Sequence, residues 1–210
     1  TGIKVNLITA KAEELVSRLS IEGANSPSDI LITADIGNLY EAKERDLLQG
    51  VSSKVLEKNI PAHLRDEGGK WFAITKRARL FVYNPKTINP ADLDDYFSLT
   101  KPEFKGKVIT RSSTNAYNKS LLASIIAHHG EEKSLEFVKG LVNNFARDPK
   151  GADKDQIRAV ASGEADIAIV NSYYLGVMAN SGDKVDEEIA KEVKVFFPAQ
   201  KTTGAHINIS

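Results

Sequence analysis

Residues 166–170, Asp-Ile-Ala-Ile-Val, form a short run that is apolar from its second position and bounded by turn formers on both sides. Such a run reads as a buried strand. It sits between Gly163-Glu164-Ala165 and the polar pair Asn171-Ser172, and two adjacent tyrosines follow, Tyr173 and Tyr174, then Leu175 and Gly176. In open α/β sheets, ligands sit just outside the carboxyl ends of strands. The tyrosines therefore fall where a ligand is expected. The plain alternative is that they are half-buried packing residues with wet hydroxyls, the commoner fate of tyrosine.

The rest of the chain reads as strand and helix in alternation. Strands are expected over 3–8, 29–33, 71–75, 79–83, 106–110, 166–170, 193–197 and 206–209. Helices are expected over 10–23, 39–49, 92–99, 118–129, 131–145, 153–162 and 187–191, with Gly23 and Gly130 as stops. Residues 51–70 read as loop. The alternation implies an α/β class with largely parallel sheets, opened by a β-α-β unit. One series of elements precedes residues 75–84 and another follows. Two lobes are therefore expected, the first over 1–75, the second over 76–200, with 201–210 as hinge and return strand to the first. Clefts between lobes are common ligand sites.

Composition narrows the function. Lys plus Arg equals Asp plus Glu at 28 each among 210 residues, so the basic excess of a nucleic-acid binder is missing. With no cysteine, thiolate metal sites, disulfides and Cys nucleophiles are excluded. No apolar run is long enough to cross a membrane as a helix. The chain opens at Thr1-Gly2 without a leader, so a fragment or trimmed product is expected. No G-x-S-x-G, Walker A, dinucleotide fingerprint or H-E-x-x-H occurs, and an enzyme has little to stand on.

Two polar loops each follow a predicted strand: Arg111–Tyr117 and Asn171–Tyr174. If both strands share one parallel sheet, Tyr117 approaches Tyr173 and Tyr174. Three converging phenols make a metal-ligand set. A free tyrosine titrates near 10, so ionising one at neutrality costs roughly 4 kcal/mol. Only a highly charged, hard cation readily offsets three such costs, and Fe3+ fits. Zinc prefers His or Cys and calcium prefers carboxylates. The loop Ser112-Ser-Thr-Asn115 ahead of a predicted helix equally suits an anion. Arg77 could offer it a planar fork, or could be merely solvated beside Lys76 and Arg79. His128 and His129 end a predicted helix, and His63 and His206 are remote in sequence from the tyrosines. Asp35 could face the cleft or cap the next helix.

The stretches TADIGNLYEAKERDLLQG, ITKRARLFVYNP, RSSTNAYNKSLLAS and GEADIAIVNSYYLGVM resemble the ferric-ion-binding proteins of bacterial iron ABC transporters, over nearly the whole chain. That resemblance implies a two-lobe, type II periplasmic-binding-protein-like, transferrin-like fold. It implies ferric iron held in an interlobe cleft by the phenolates of Tyr173, Tyr174 and Tyr117. A synergistic anion such as carbonate or bicarbonate would sit on Arg77. It further implies a periplasmic monomer that closes on iron and delivers it to an ABC membrane permease. Family members open with a strand carrying a His-Tyr or similar pair, which would precede Thr1, and they continue beyond Ser210. The chain is thus expected to be truncated at both ends. Asp35 lies in a loop unlike that of relatives with a first-lobe Glu and is not assigned as a ligand. The rival readings are a phosphate- or sulfate-like anion receptor on the same fold and an enzyme built on that scaffold.

Overall fold

A computed structural model describes residues 2–210. The chain divides into two compact units, one of Thr1–Lys76 with Ile209–Ser210, the other of Arg77–Asn208. Among its described residues the first unit has the α-helices α1 (Ala12–Glu22), α2 (Ile36–Glu44) and α3 (Lys54–Asn59). Gly23 ends α1 with a positive φ of 53°, a conformation open to glycine without steric cost. Asp35 caps α2, its side chain accepting from the Gly37 amide at 3.0 Å. Of the two roles its position allowed, this is the capping one. Ser53 caps α3 in the same manner.

Three strands expected in this unit do not form. Residues 3–8 take no regular element, with Ile3, Val5 and Leu7 each more than 75% exposed. Residues 29–33 likewise join no sheet, and Ile30 and Ile32 stay exposed. Of 71–75, Phe72 makes a single bridge to Arg65, and Thr75 exchanges backbone hydrogen bonds with Ser210. A strand is defined by a hydrogen-bonded neighbour as well as by its own apolar pattern. Among the described residues no neighbour pairs with 3–8 or 29–33, so the opening β-α-β unit is absent.

In the second unit the elements run β1 (Lys76–Tyr83, its first residue in the other unit), β2 (Val108–Ile109), α4 (Ala116–Asn143), α5 (Asp153–Ala161), β3 (Ile167–Asn171), α6 (Tyr173–Ala179), α7 (Lys184–Glu192), β4 (Lys194–Phe196) and β5 (Ile207–Ile209, its last residue in the other unit). The helix expected over 92–99 is replaced by two short 3-10 turns, Pro90–Asp92 and Tyr96–Thr100. Gly130, at φ 79°, breaks α4 where a stop was expected.

The strands make one sheet in the order β2-β3-β1-β4, with β5 also on β1. The α/β class holds, but the largely parallel pairing does not. β2 and β3 are parallel, with Val108 opposite Ile167. β1 runs antiparallel to both β3 and β4, with Arg79 opposite Asn171 and Phe81 opposite Phe196. Strand direction depends on the path of the connections, which apolar runs do not encode.

Alternation along β1 and β3 supplies two cores. Phe81, Tyr83, Ile167 and Ile169 face Leu121, Ile125 and Phe137 of α4. Leu80, Val82, Ala168 and Val170 face Ile157, Val160 and Met178 of α5 and α6. A fully buried side chain of this size stabilises by about 1.5–3 kcal/mol, so both faces hold the sheet firmly. Because β2 and β3 are parallel neighbours, the loops that leave them emerge side by side. That edge carries the candidate site.

Candidate metal-binding site

Tyr117 is the second residue of α4, and Asn115 caps that helix by accepting from the Tyr117 amide at 3.1 Å. The loop from β2 into α4 is held by Asn118, whose amide donates to the Arg111 carbonyl at 2.8 Å. Tyr173 and Tyr174 open α6, one residue past the end of β3. Ser172 fixes that junction: its amide donates to the Ala78 carbonyl at 2.8 Å and its hydroxyl accepts from the Ala78 amide at 3.2 Å.

The structure brings all three tyrosines together. The rings of Tyr173 and Tyr174 lie 4.0 Å apart between centroids, inclined by 31°. The phenols of Tyr174 and Tyr117 both lie within electrostatic reach of the Tyr173 phenol. Tyr117 is 9% exposed and Tyr173 37%. Burial, then the hydrogen bond with Tyr174, then the proximity of Tyr117 all raise the Tyr173 phenol above its ordinary range. The unliganded group is therefore a neutral phenol, and its proton has to leave before the oxygen can serve as an anionic ligand.

Arg77 joins the group, its guanidinium carbon 5.5 Å from the Tyr173 ring centroid. Beneath Tyr117 lies a cluster that sequence reading passed over. Asp153, at the start of α5, is fully buried. It accepts from Arg79 Nη1 on Oδ1 at 2.7 Å, from Arg111 Nη1 on Oδ2 at 2.6 Å, and from the Asn171 amide at 3.0 Å. Arg79, also fully buried, donates to Asn118 at 2.6 Å. The guanidinium carbons of Arg79 and Arg111 stand 5.9 and 5.8 Å from the Tyr117 ring centroid, within cation–π range. One signal was available in the sequence, an arginine opening the apolar strand Leu80–Tyr83. A charge inside such a run needs a buried partner. Nothing local identified Asp153 as that partner.

His63 lies in the 3-10 turn Ala62–Leu64 of the first unit, and the other three histidines have partners outside the tyrosine group. His206 Nε2 pairs with Ser120 Oγ at 2.8 Å, His128 Nδ1 lies 2.8 Å from the Ser124 carbonyl, and His129 packs edge-on against Phe97. Among the described residues no three His, Asp or Glu side chains gather as a cation site. The hydroxyl of Ser112, a candidate anion donor, is taken up by the Thr114 amide and hydroxyl.

This chain has the α/β fold of a known class of binding protein. It belongs to the bacterial extracellular solute-binding proteins, whose family model matches residues 25–207. Within that family it is 50% identical to "Iron uptake protein A1" and 47% identical to "Iron uptake protein A2", both of Synechocystis sp., over 100% and 99% of its own length. It spans 58% and 60% of the length of these relatives. Among solved structures, it matches the ferric binding protein from Campylobacter jejuni with a TM-score of 0.96 at 53% identity, covering 100% of this chain and 67% of that one. A Trichodesmium protein in complex with iron and citrate ligands matches with a TM-score of 0.94 at 46% identity, over 100% and 66%. The α/β, two-lobe type II fold is thus shared with solved ferric-binding proteins.

Proposed function

We propose that this chain binds ferric iron through the phenolate oxygens of Tyr117, Tyr173 and Tyr174 and serves iron uptake in the periplasm. The observation that carries the reading is the packing of Tyr173 against Tyr174 at 4.0 Å between ring centroids, with Tyr117 of another helix in electrostatic reach of Tyr173, at one sheet edge. Phenols grouped this way repel one another once ionised, so the grouping serves a cation that offsets three negative oxygens. A trivalent hard ion does so best. Arg77, beside Tyr173, would hold a synergistic anion such as carbonate in the remaining coordination positions, since a guanidinium fork matches a planar oxyanion. Relatives named for iron uptake and ferric binding support the choice of cargo. Delivery to an ABC membrane permease, with the carrier acting as a monomer, completes the proposal. Binding and release are the whole of the activity, with no bond made or broken in a substrate.

The test is direct. Ferric salt added with bicarbonate should produce a visible phenolate-to-iron charge-transfer band, weakened or lost in Tyr173→Phe while that variant's far-ultraviolet dichroism stays as in the parent. A colourless parent that instead binds phosphate or sulfate would replace this reading with that of an anion receptor.

A further inference from the structure

We propose that Arg111 is a positioning residue of the tyrosine group, fixing Tyr117 and Tyr174 against each other before any ligand arrives; this rests on the ferric reading for its purpose. Arg111 comes from the loop after β2 and lies within reach of both tyrosines, which belong to different elements. Its guanidinium lies 5.8 Å from the Tyr117 ring centroid and interacts with the Tyr174 phenol. It is itself immobilised, because its Nη1 donates at 2.6 Å to Asp153. Asp153 cannot yield: it is fully buried, and its other oxygen takes Arg79 and the Asn171 amide. The chain of restraint runs from a buried carboxylate, through a rigid planar fork, to two ligand rings. Arginine suits this because one group can offer an edge to a carboxylate and to a phenol while its flat face meets an aromatic ring, which an ammonium cannot reproduce.

The arrangement is poorly explained by stability. Two guanidiniums share one carboxylate in a largely buried cluster, and the Nε atoms of both arginines are buried with no hydrogen-bond partner. Apolar residues of similar volume commonly replace buried ion pairs at no loss of stability. A cluster this costly, set directly against the candidate ligands, is accounted for by the orientation it imposes on them.

The experiment compares Arg111→Lys and Arg111→Gln with the parent in the full-length protein, using ferric salt with bicarbonate and citrate as competitor. Both variants should bind iron at least tenfold more weakly and show a displaced charge-transfer band. Before iron is added, their near-ultraviolet tyrosine dichroism should already differ from the parent's. Parental affinity, band and dichroism in either variant would overturn the proposal, and in Arg111→Lys would show that charge alone suffices. Should Arg111→Gln fail to fold, Arg111→Lys decides alone, since it keeps a cation for Asp153. A parent without any band would sink the ferric reading instead, and the iron-free dichroism would still decide whether Arg111 orients the rings.

Discussion

Tyr96 shows how much one side chain can hold. Its hydroxyl donates to the Arg79 carbonyl at 2.6 Å and accepts from the His206 amide at 2.9 Å. It therefore ties β1 to the segment that leads into β5. Its ring packs edge-on against Phe81 at 5.6 Å. Tyr96→Phe keeps the packing and removes both hydrogen bonds, leaving a carbonyl and an amide without that partner. Of the two, the carbonyl belongs to the fully buried Arg79, and one unsatisfied buried group costs about 1–3 kcal/mol. We expect Tyr96→Phe to lower stability by roughly 1–3 kcal/mol, read as a reduced denaturant midpoint with unchanged slope. Burial pushes this phenol up to about 12, above the ordinary value of about 10. The folded state thus holds the proton more tightly than the unfolded state does. The stabilisation is complete below about pH 10 and fades as pH rises toward 12. At this scale the sequence was informative where chemistry singles out a residue type. Tyr173 and Tyr174 stood out as candidates because a pair of phenols at a strand end is unusual, and Tyr117 because its loop follows a second predicted strand. Asp153 did not, because an aspartate at a helix start normally reads as a cap.

Elements were legible where their own residues bury both faces or one clear stripe. The interiors of β1 and β3, together with α5, follow their apolar patterns. The strands expected over 3–8 and 29–33 fail because pairing is a property of two segments, and the antiparallel course of β1 was invisible for the same reason. Helix packing adds a constraint that propensity alone would misjudge. Gly140, in the second half of α4, faces Thr100 so closely that an added Cβ would meet the Thr100 Cβ at 2.6 Å. Alanine favours a helix over glycine by about 1 kcal/mol. Overpacking a closed contact costs about 1–3 kcal/mol, so the clash outweighs the propensity. Gly140→Ala should lower the thermal midpoint, and a raised midpoint would mean that the turn at Tyr96–Thr100 gives way freely.

For the chain as a whole, equal numbers of acidic and basic residues give no net charge to draw a cation, so under the proposed ferric reading the affinity comes from the site. There the energetics run through protons. Tyr173 is raised above the ordinary phenol range chiefly by burial, so at neutral pH the unliganded phenol is protonated, and under the same ferric reading the ion has to displace that proton. Each proton released makes the affinity fall tenfold per unit of falling pH. Three phenols ionised together give up to about a thousandfold per unit. A site of neutral donors would give no slope, and carboxylate ligands, already ionised at neutrality, would lose affinity only below about pH 5. Measuring ferric affinity between pH 8 and pH 6 against a chelator of known proton balance therefore counts the phenolates. A slope of two to three protons supports the tyrosine group as the ligand set, whereas a flat profile would place the iron elsewhere and leave the three rings as packing at the end of a sheet.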